Sequence, residues 1–324
     1  MRFALTPEQQ AFATSLRAAL ADAGTPAAVR AWAADDFGPG RAVLRRLADS
    51  GVTALLVPAQ FDGLGADPVD LVVAFVEIGR ALVPGPVIET AAIAPTLLTG
   101  DLAAEWLPQI AAGSALVSTA VADRHPRALD ADLADLVLAV GPDTVTLATP
   151  GTRHRSIDPA RRLFDVEPAG PATDTPVTRA VDTGVLAAAA ELLGAGRAVL
   201  DRSVEYAKSR VQFGRPIGEY QAIKHHLANA AVGLEMATPL LHGAALALRD
   251  ADPTAGRDVS AAKVACGDAA YRASRIALQV HGAIGYTAEY DLSLWLTRIR
   301  ALYTAWGTPA QHRARVADAL RSAS

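Results

Sequence analysis

Three long stretches of helical texture, residues 182–210, 220–249 and 259–282, are joined by turns of only a few residues, FGRPIG (213–218) and DADPTAG (250–256). Helices of that length with connections that short run antiparallel to their neighbours and share a buried face. The C-terminal part of the chain is thereby confined to a four-helix bundle, completed by a helix after Gln311. Composition says what fills it. Of 324 residues, 51% are hydrophobic but only 5% aromatic, so alanine, leucine and valine make the core, and alanine and leucine cost little in a helix. Gly194-Ala-Gly196 lies mid-helix with no strand before it, which reads as close helix packing and not as a phosphate-binding turn.

The N-terminal third is also helical. Thr6 suits an N-cap ahead of Pro7, with Glu8 close behind, and Leu5, Phe12, Leu16 and Leu20 supply an apolar stripe. Further helices are expected near 41–50, stopped by Gly51, at 67–82, ended by the Pro84-Gly85-Pro86 break, and at 101–112, interrupted at Pro108. Between these halves the texture changes. ALVSTAVA, ADLVLAV and DTVTLAT are short β-branched runs bounded by Gly, Pro and Asp, the signature of strands. About sixty residues there allow only a small sheet or barrel. The expected fold is mostly α with a small β domain: an N-terminal helical domain (1–113), a reduced middle β-sheet or barrel (114–178) and the C-terminal bundle (179–324).

Several functional classes are disfavoured. A net charge of −4 and a pI near 6.0 give no reason to expect nucleic acid or an anionic membrane as partner. Cys266, the single cysteine, sits in an apolar helical run and reads as a buried, inert thiol. His225 and His226 diverge by about 100° on a helix, and with no HExxH and no cysteine cluster no metal site is expected. The start MRFALTPEQQAF has no leader pattern, and no apolar run is read as membrane-spanning, so a soluble cytoplasmic protein is expected. Trp106 and Trp295 read as core or interface anchors.

Two motifs go further. YAKSRVQFGRPIGEYQAIKHHLA (206–228) and QVHGAIGYTAEYDLSLWLTRIRALYTAWGT (279–308), together with SGVTALLVPAQFDGLGADPVDLVVAFVEIGRALVPGP near the start, resemble the acyl-CoA dehydrogenase family. The resemblance covers nearly the whole chain and is weak in the middle. It implies an FAD flavoprotein in which two subunits pair and each cofactor is held by both. Carried over by position, it assigns Arg210 to the pyrophosphate, with Gln212 and Phe213 beside the adenosine half and Gln221 in the same cradle. Gln279, Gly282 and Gly285 bring backbone close to the cofactor, and Thr308 matches a cofactor-binding position. A dinucleotide pyrophosphate suits a guanidinium fork and close backbone amides, which glycine permits. The implied reaction is α,β-dehydrogenation of an acyl-CoA, with an electron-transferring flavoprotein as acceptor.

The chain departs from that pattern where the chemistry is done. Trp306 stands at the family's usual base glutamate, and Gly184, followed by Val185, stands at the alternative position. An indole N–H donates a hydrogen bond but accepts no proton. STAVADRHPRALDADLADL replaces the segment that flanks the flavin ring. Glu191, two turns beyond Gly184 in AAAAELLG, is the candidate substitute base, the bland alternative being a structural hydrogen bond or ion pair. Glu289 suits a cap or pair near a turn, and Glu205 and Glu235 suit solvated or paired helix positions. Three readings follow. The chain is a homo-oligomeric dehydrogenase using Glu191; or a base-lacking partner of a longer homologue, resembling the smaller subunits of actinobacterial α2β2 enzymes acting on steroid-side-chain CoA thioesters; or a non-redox acyl-CoA-binding scaffold.

Overall fold

A computed structural model describes residues 4–322 of the chain. Helix α1 (Pro7–Ala21) starts where the sequence places it, with a reciprocal capping box: Gln9 N–H donates to Thr6 Oγ1 at 3.2 Å and Thr6 N–H to Gln9 Oε1 at 3.1 Å. Leu16 and Leu20 face the core. Helix α2 (Thr25–Ala33) was not expected from the sequence; the positive φ of Gly24 (60°) turns the chain into it, and Trp32 anchors it fully buried. Helices α3 (Gly38–Asp49) and α4 (Pro68–Ala81) follow, α4 capped by Asp67 Oδ1 on Val69 N–H at 2.7 Å. A π-helical turn (Glu89–Ile93) leads into α5 (Ala94–Leu97) and α6 (Gly100–Ala111). Pro108 does not interrupt α6. It lies in the last turn, so only one intrahelical bond is lost before the helix ends.

The middle strands are β1 (Val117–Val121), β2 (Ala128–Leu129), β3 (Leu136–Val140), β4 (Thr144–His154), β5 (Leu163–Pro168) and β6 (Thr173–Asp174). They form a sheet of order β1-β3-β4-β5-β2, with β6 on β4. Only β1 and β3 pair in parallel, Val117 opposite Leu136; the other pairs are antiparallel. Ser118 Oγ in β1 donates to Leu129 O in β2 at 2.6 Å, drawing the two ends of the sheet together into a nearly closed barrel. The sequence runs marked β1, β3 and β4. They missed β2, β5 and β6, which are two residues long or, in β5, interrupted by charge.

The C-terminal bundle contains α7 (Thr178–Ser209), α8 (Gln221–Arg249), α9 (Ala255–His281) and α10 (Leu292–Thr304), with α11 (Pro309–Ser322) lying against α9. A two-residue hairpin, β7 (Val211–Gln212) with β8 (Arg215–Pro216), joins α7 to α8. Helices α7 and α9 begin one turn earlier than their apolar periodicity suggests. Small residues set the spacing: a Cβ on Gly79 of α4 would lie 2.0 Å from Glu191 O, and one on Gly194 would lie 1.9 Å from Val76 O. Helices α4 and α7 therefore cross in backbone contact, and Gly194-Ala-Gly196 is the packing point that the sequence implies. By length and composition α7 and α8 both reach what a membrane span requires, contrary to the sequence expectation. For α7 the fold supplies the reason, since 89% of its apolar window is buried in the bundle; for α8 only 39% is. Cys266 is fully buried, and burial pushes its thiol up to about 12.

Candidate active site

Gly184 and Trp306, the positions at which the resemblance expects a base, meet in space. A Cβ on Gly184 would sit 2.4 Å from Ile93 Cδ1 and 3.4 Å from Trp306 Cζ3, so α7, the π-helical turn and the loop after α10 close on one point. Trp306 is wholly buried and held at a positive φ of 59°, a backbone strain tolerated only because its surroundings fix it. Its carbonyl accepts from His312 at 2.9 Å, and Gly307 N–H donates to Arg124 O at 2.9 Å. Gln311 Nε2 donates to Asp123 O at 2.9 Å, tying the same loop to the turn after β1. That turn lays His125 flat on the indole, with ring centroids 4.6 Å apart and planes 16° from parallel.

Behind His125 lies a carboxylate that sequence reasoning passed over. Glu89, in the π-helical turn, is 1% exposed, and its Oε1 is 3.7 Å from His125 Nε2, beyond hydrogen-bond reach. Both carboxylate oxygens, His125 Nε2 and Trp306 Nε1 lack hydrogen-bond partners. Burial pushes the Glu89 carboxyl up to about 8 against the pull of Arg161, and burial with the nearby Arg161 and Lys263 holds His125 down to about 3. The signal was available: Glu89 is the lone acid in VIETAAIAPTLL, directly after the proline break.

Glu191 is buried at 4% exposure, but it faces Arg298, with Oε1 3.1 Å from Nη1. Asp158 holds the other side of the same guanidinium at 2.5 Å, and Arg298 Nη1 also donates to Val83 O at 2.9 Å. Burial works against the Arg298 charge, but Asp158 and Glu191 outweigh it and raise its pKa. Glu191 is thus one arm of a buried ion-pair triad, the structural alternative, and the geometry gives no support to it as proton acceptor. A void of about 10 Å³ between Glu89, Glu191 and Arg161 has room for at most one water. Glu205 pairs with Lys208, Glu235 pairs with Arg197, and Glu289 is exposed. Among the described residues no group of His, Cys, Asp and Glu is placed to hold a metal.

The residues that the resemblance assigns to a dinucleotide gather, apart from Thr308, at the opposite end of the bundle. Arg210, Gln212, Phe213 and Gln221 form one exposed stretch around the hairpin, with Phe213 94% exposed at φ 52° and Val211 exposed beside it. Tyr206, one turn before Arg210, stacks on His281 at 4.2 Å, which brings the α9 terminus with Gln279, Gly282 and Gly285 to the same end. Gly282 adopts φ 65° and ψ −145°, which only glycine takes up readily, and nothing lies within 4 Å of a Cβ built there. Thr308 is elsewhere. It caps α11 beside Trp306, its Oγ1 and N–H bonded to Gln311 Oε1, and α10 separates it from Gly285 by about 20 Å of helix. A cleft of about 820 Å³, lined by Arg17, Arg80, Arg202, Tyr206 and Tyr290 among others, includes none of these expected residues.

Two family models match the chain: acyl-CoA dehydrogenase, N-terminal domain, at residues 6–114, and acyl-CoA dehydrogenase, C-terminal domain, at 177–321. The chain belongs to the acyl-CoA dehydrogenase family. The β segment falls between the two matches. Acyl-CoA dehydrogenase IpdE2 of Mycobacterium tuberculosis is 33% identical over 300 residues, covering 91% of this chain and 92% of that protein. Among solved structures, the Tcur3481-Tcur3483 steroid ACAD superposes with a TM-score of 0.84 at 23% identity, covering 98% of this chain and 99% of that one. The ChsE4-ChsE5 complex from Mycobacterium tuberculosis gives 0.83 at 20% identity, covering 99% of each chain; these identities carry the fold alone. Members of the family are FAD flavoproteins. In this acyl-CoA dehydrogenase fold the Arg210 end fits a dinucleotide as an open face, since Gly282 admits close backbone approach and Arg210 is solvent-exposed. Neither Trp306 nor Gly184 carries a side chain that can accept a proton.

Proposed function

We propose that this chain is the base-lacking subunit of a heteromeric, FAD-dependent acyl-CoA dehydrogenase that introduces an α,β double bond into a steroid-side-chain CoA thioester. One observation carries this reading: Trp306, Ile93 and Gly184 fill both positions from which a carboxylate would act. FAD, when bound, would supply the hydride acceptor for the β-hydrogen, and a carboxylate of a longer homologous partner would take the α-proton. This chain contributes an outward-facing half-site. Arg210 offers a guanidinium fork to the pyrophosphate, Gln212 and Gln221 offer amide contacts, and the Gln279–Gly285 turn offers close backbone. Exposed Phe213 and Val211 supply apolar surface that a second subunit would cover. An electron-transferring flavoprotein is the acceptor in this scheme. The paired neighbours support a heteromer over a homomeric enzyme using Glu191, which the Arg298 triad holds.

Co-purification tests it. The chain made alone should retain little flavin and no dehydrogenase activity, and co-expression with a longer homologue encoded nearby should yield a yellow complex bleached by an acyl-CoA. Arg210→Ala in this chain should then release flavin from the complex without changing the partner's own base. A yellow, acyl-CoA-reducible protein made from this chain alone would overturn the reading.

A further inference from the structure

Three rings from three elements close on one another where the Arg210 hairpin meets the turn after α9. The imidazole of His281, the last residue of α9, stacks on Tyr206 of α7 with centroids 4.2 Å apart and planes 25° from parallel. Tyr290, just before α10, leans on the same imidazole at 5.4 Å and meets Tyr206 edge-on at 6.4 Å. His281 is 5% exposed. Its Nδ1 faces Ala277 O at 2.8 Å and so carries the proton, while Nε2 is buried without a partner. Burial lowers the imidazole pKa and keeps the ring in its neutral form at neutral pH.

Each side of the stack is fixed to a segment that the cofactor reading uses. Tyr206 O accepts from Arg210 N–H at 2.9 Å and Arg210 O accepts from Ile217 N–H at 2.8 Å, which ties the hairpin to the last turn of α7. On the other side, a Cβ on Gly285 would lie 3.0 Å from His281 Cβ and 3.4 Å from Leu278 Cδ1. The bare glycine thus seats the 3-10 turn Gly282–Tyr286 directly on His281, and Gly285 is buried by that contact. Gly282 keeps its open face, with nothing within 4 Å of a Cβ built there. A ring nitrogen with no partner adds no bond, so what His281 contributes at this junction is the face of its ring.

We infer that His281 is a positioning residue that sets the spacing between the Arg210 arm and the Gly282 backbone, the two parts that would grip one dinucleotide. It acts through Tyr206 and Gly285 and touches no ligand itself. The inference rests on the reading of this end as a cofactor face. Hydrogen exchange on the chain alone, read at the amides of residues 282–287 against those of α10, measures the clasp with no cofactor or partner present. His281→Ala should speed exchange in the turn by roughly tenfold relative to α10, and His281→Phe, which keeps the stack, should restore the slow rate. His281→Gln, polar but without a ring, should behave as His281→Ala. Tyr206→Leu should loosen the turn from the α7 side, and it keeps the test alive if His281→Ala fails to fold. Flavin retained by the co-purified complex should follow the same order. Unchanged turn exchange in His281→Ala and Tyr206→Leu, rescue by Gln but not by Phe, or wild-type flavin retention in His281→Ala would each overturn the inference. Absence of flavin from every preparation, wild type included, would sink the cofactor reading, and the clasp would then stand or fall on the exchange rates.

Discussion

The two ends of the bundle have opposite construction. At one, Arg210, Gln212, Phe213 and the turn at Gly282 are exposed and held by hairpin and ring contacts, so little of the fold's stability depends on them. At the other, Trp306, His125, Glu89 and Ile93 are packed against each other, and polar atoms there go unsatisfied. In the proposed complex a second molecule covers the open end, which is why its exposure is tolerated. The buried end is filled from within by Trp306 and Ile93, so its residues answer to packing. The difference predicts that mutations at the buried end act on stability and those at the open end act on association.

Trp306→Ala should break the buried end most. It removes the largest side chain of the cluster from a position with no exposure, and large-to-small changes of this kind cost about 3–5 kcal/mol. Chemical denaturation of the chain alone measures it. A loss under about 1 kcal/mol would mean the site collapses easily, and that the filled pocket is not a packing feature. Arg298→Met belongs to the same class. It leaves Glu191 and Asp158 without their shared cation, for about 3–5 kcal/mol, and a full rescue by Arg298→Lys would argue against a guanidinium fork bridging the two carboxylates.

Glu89→Gln is smaller and depends on pH. The Glu89 carboxyl rises from 4.5 to about 8 on folding, so the folded state holds a proton that the unfolded state has lost between those values. Its stabilising contribution is full below pH 4.5 and is lost as pH rises through 8. His125 falls from 6.5 to about 3, so its contribution is full above pH 6.5 and is lost toward 3. Between 4.5 and 6.5 the two slopes cancel; from 6.5 to 8 only the Glu89 slope remains. Over that window wild type should lose about 2 kcal/mol relative to Glu89→Gln. Taking the difference between the two proteins removes the opposing change from Lys263, which burial lowers to about 7. Parallel stability curves across that window would show that Glu89 is ionised in the folded protein.

The same contrast explains what could be read in advance. The bundle was legible because long apolar periodicity with short turns leaves few packings, and the capping box at Thr6 is a local device that sequence records directly. Helix α2 and strands β2, β5 and β6 were not legible, since each is short and is held by tertiary partners such as Trp32 on Asp130 and Ser118 on Leu129. Arg210 to Phe213 carries the family resemblance in one contiguous, exposed string, which is why it could be read from sequence. Glu89, His125 and Trp306 come from three distant segments and meet only when the π-helical turn and the loop after α10 are in place. For Glu191, an apolar neighbourhood in sequence suggested an isolated carboxylate, while its partner Arg298 lies 107 residues away.

Phe213→Ala should have the smallest effect on the chain and the most specific one on its assembly. The side chain is 94% exposed and touches little, so the stability of the isolated chain should change by less than about 0.5 kcal/mol. If a second subunit and the adenosine half of a dinucleotide cover this ring, truncation removes a buried aromatic anchor there, and such anchors are worth about 2 kcal/mol or more. Flavin retention by the co-purified complex should therefore fall by tenfold or more, since about 1.4 kcal/mol is a factor of ten. The pairing of the two readouts is what discriminates. Loss of flavin with unchanged chain stability places the ring in an interface, whereas loss of both would mean that Phe213 supports its own hairpin. Unchanged flavin retention would remove the open end from the cofactor site and leave Arg210 as an ordinary helix-terminal cation.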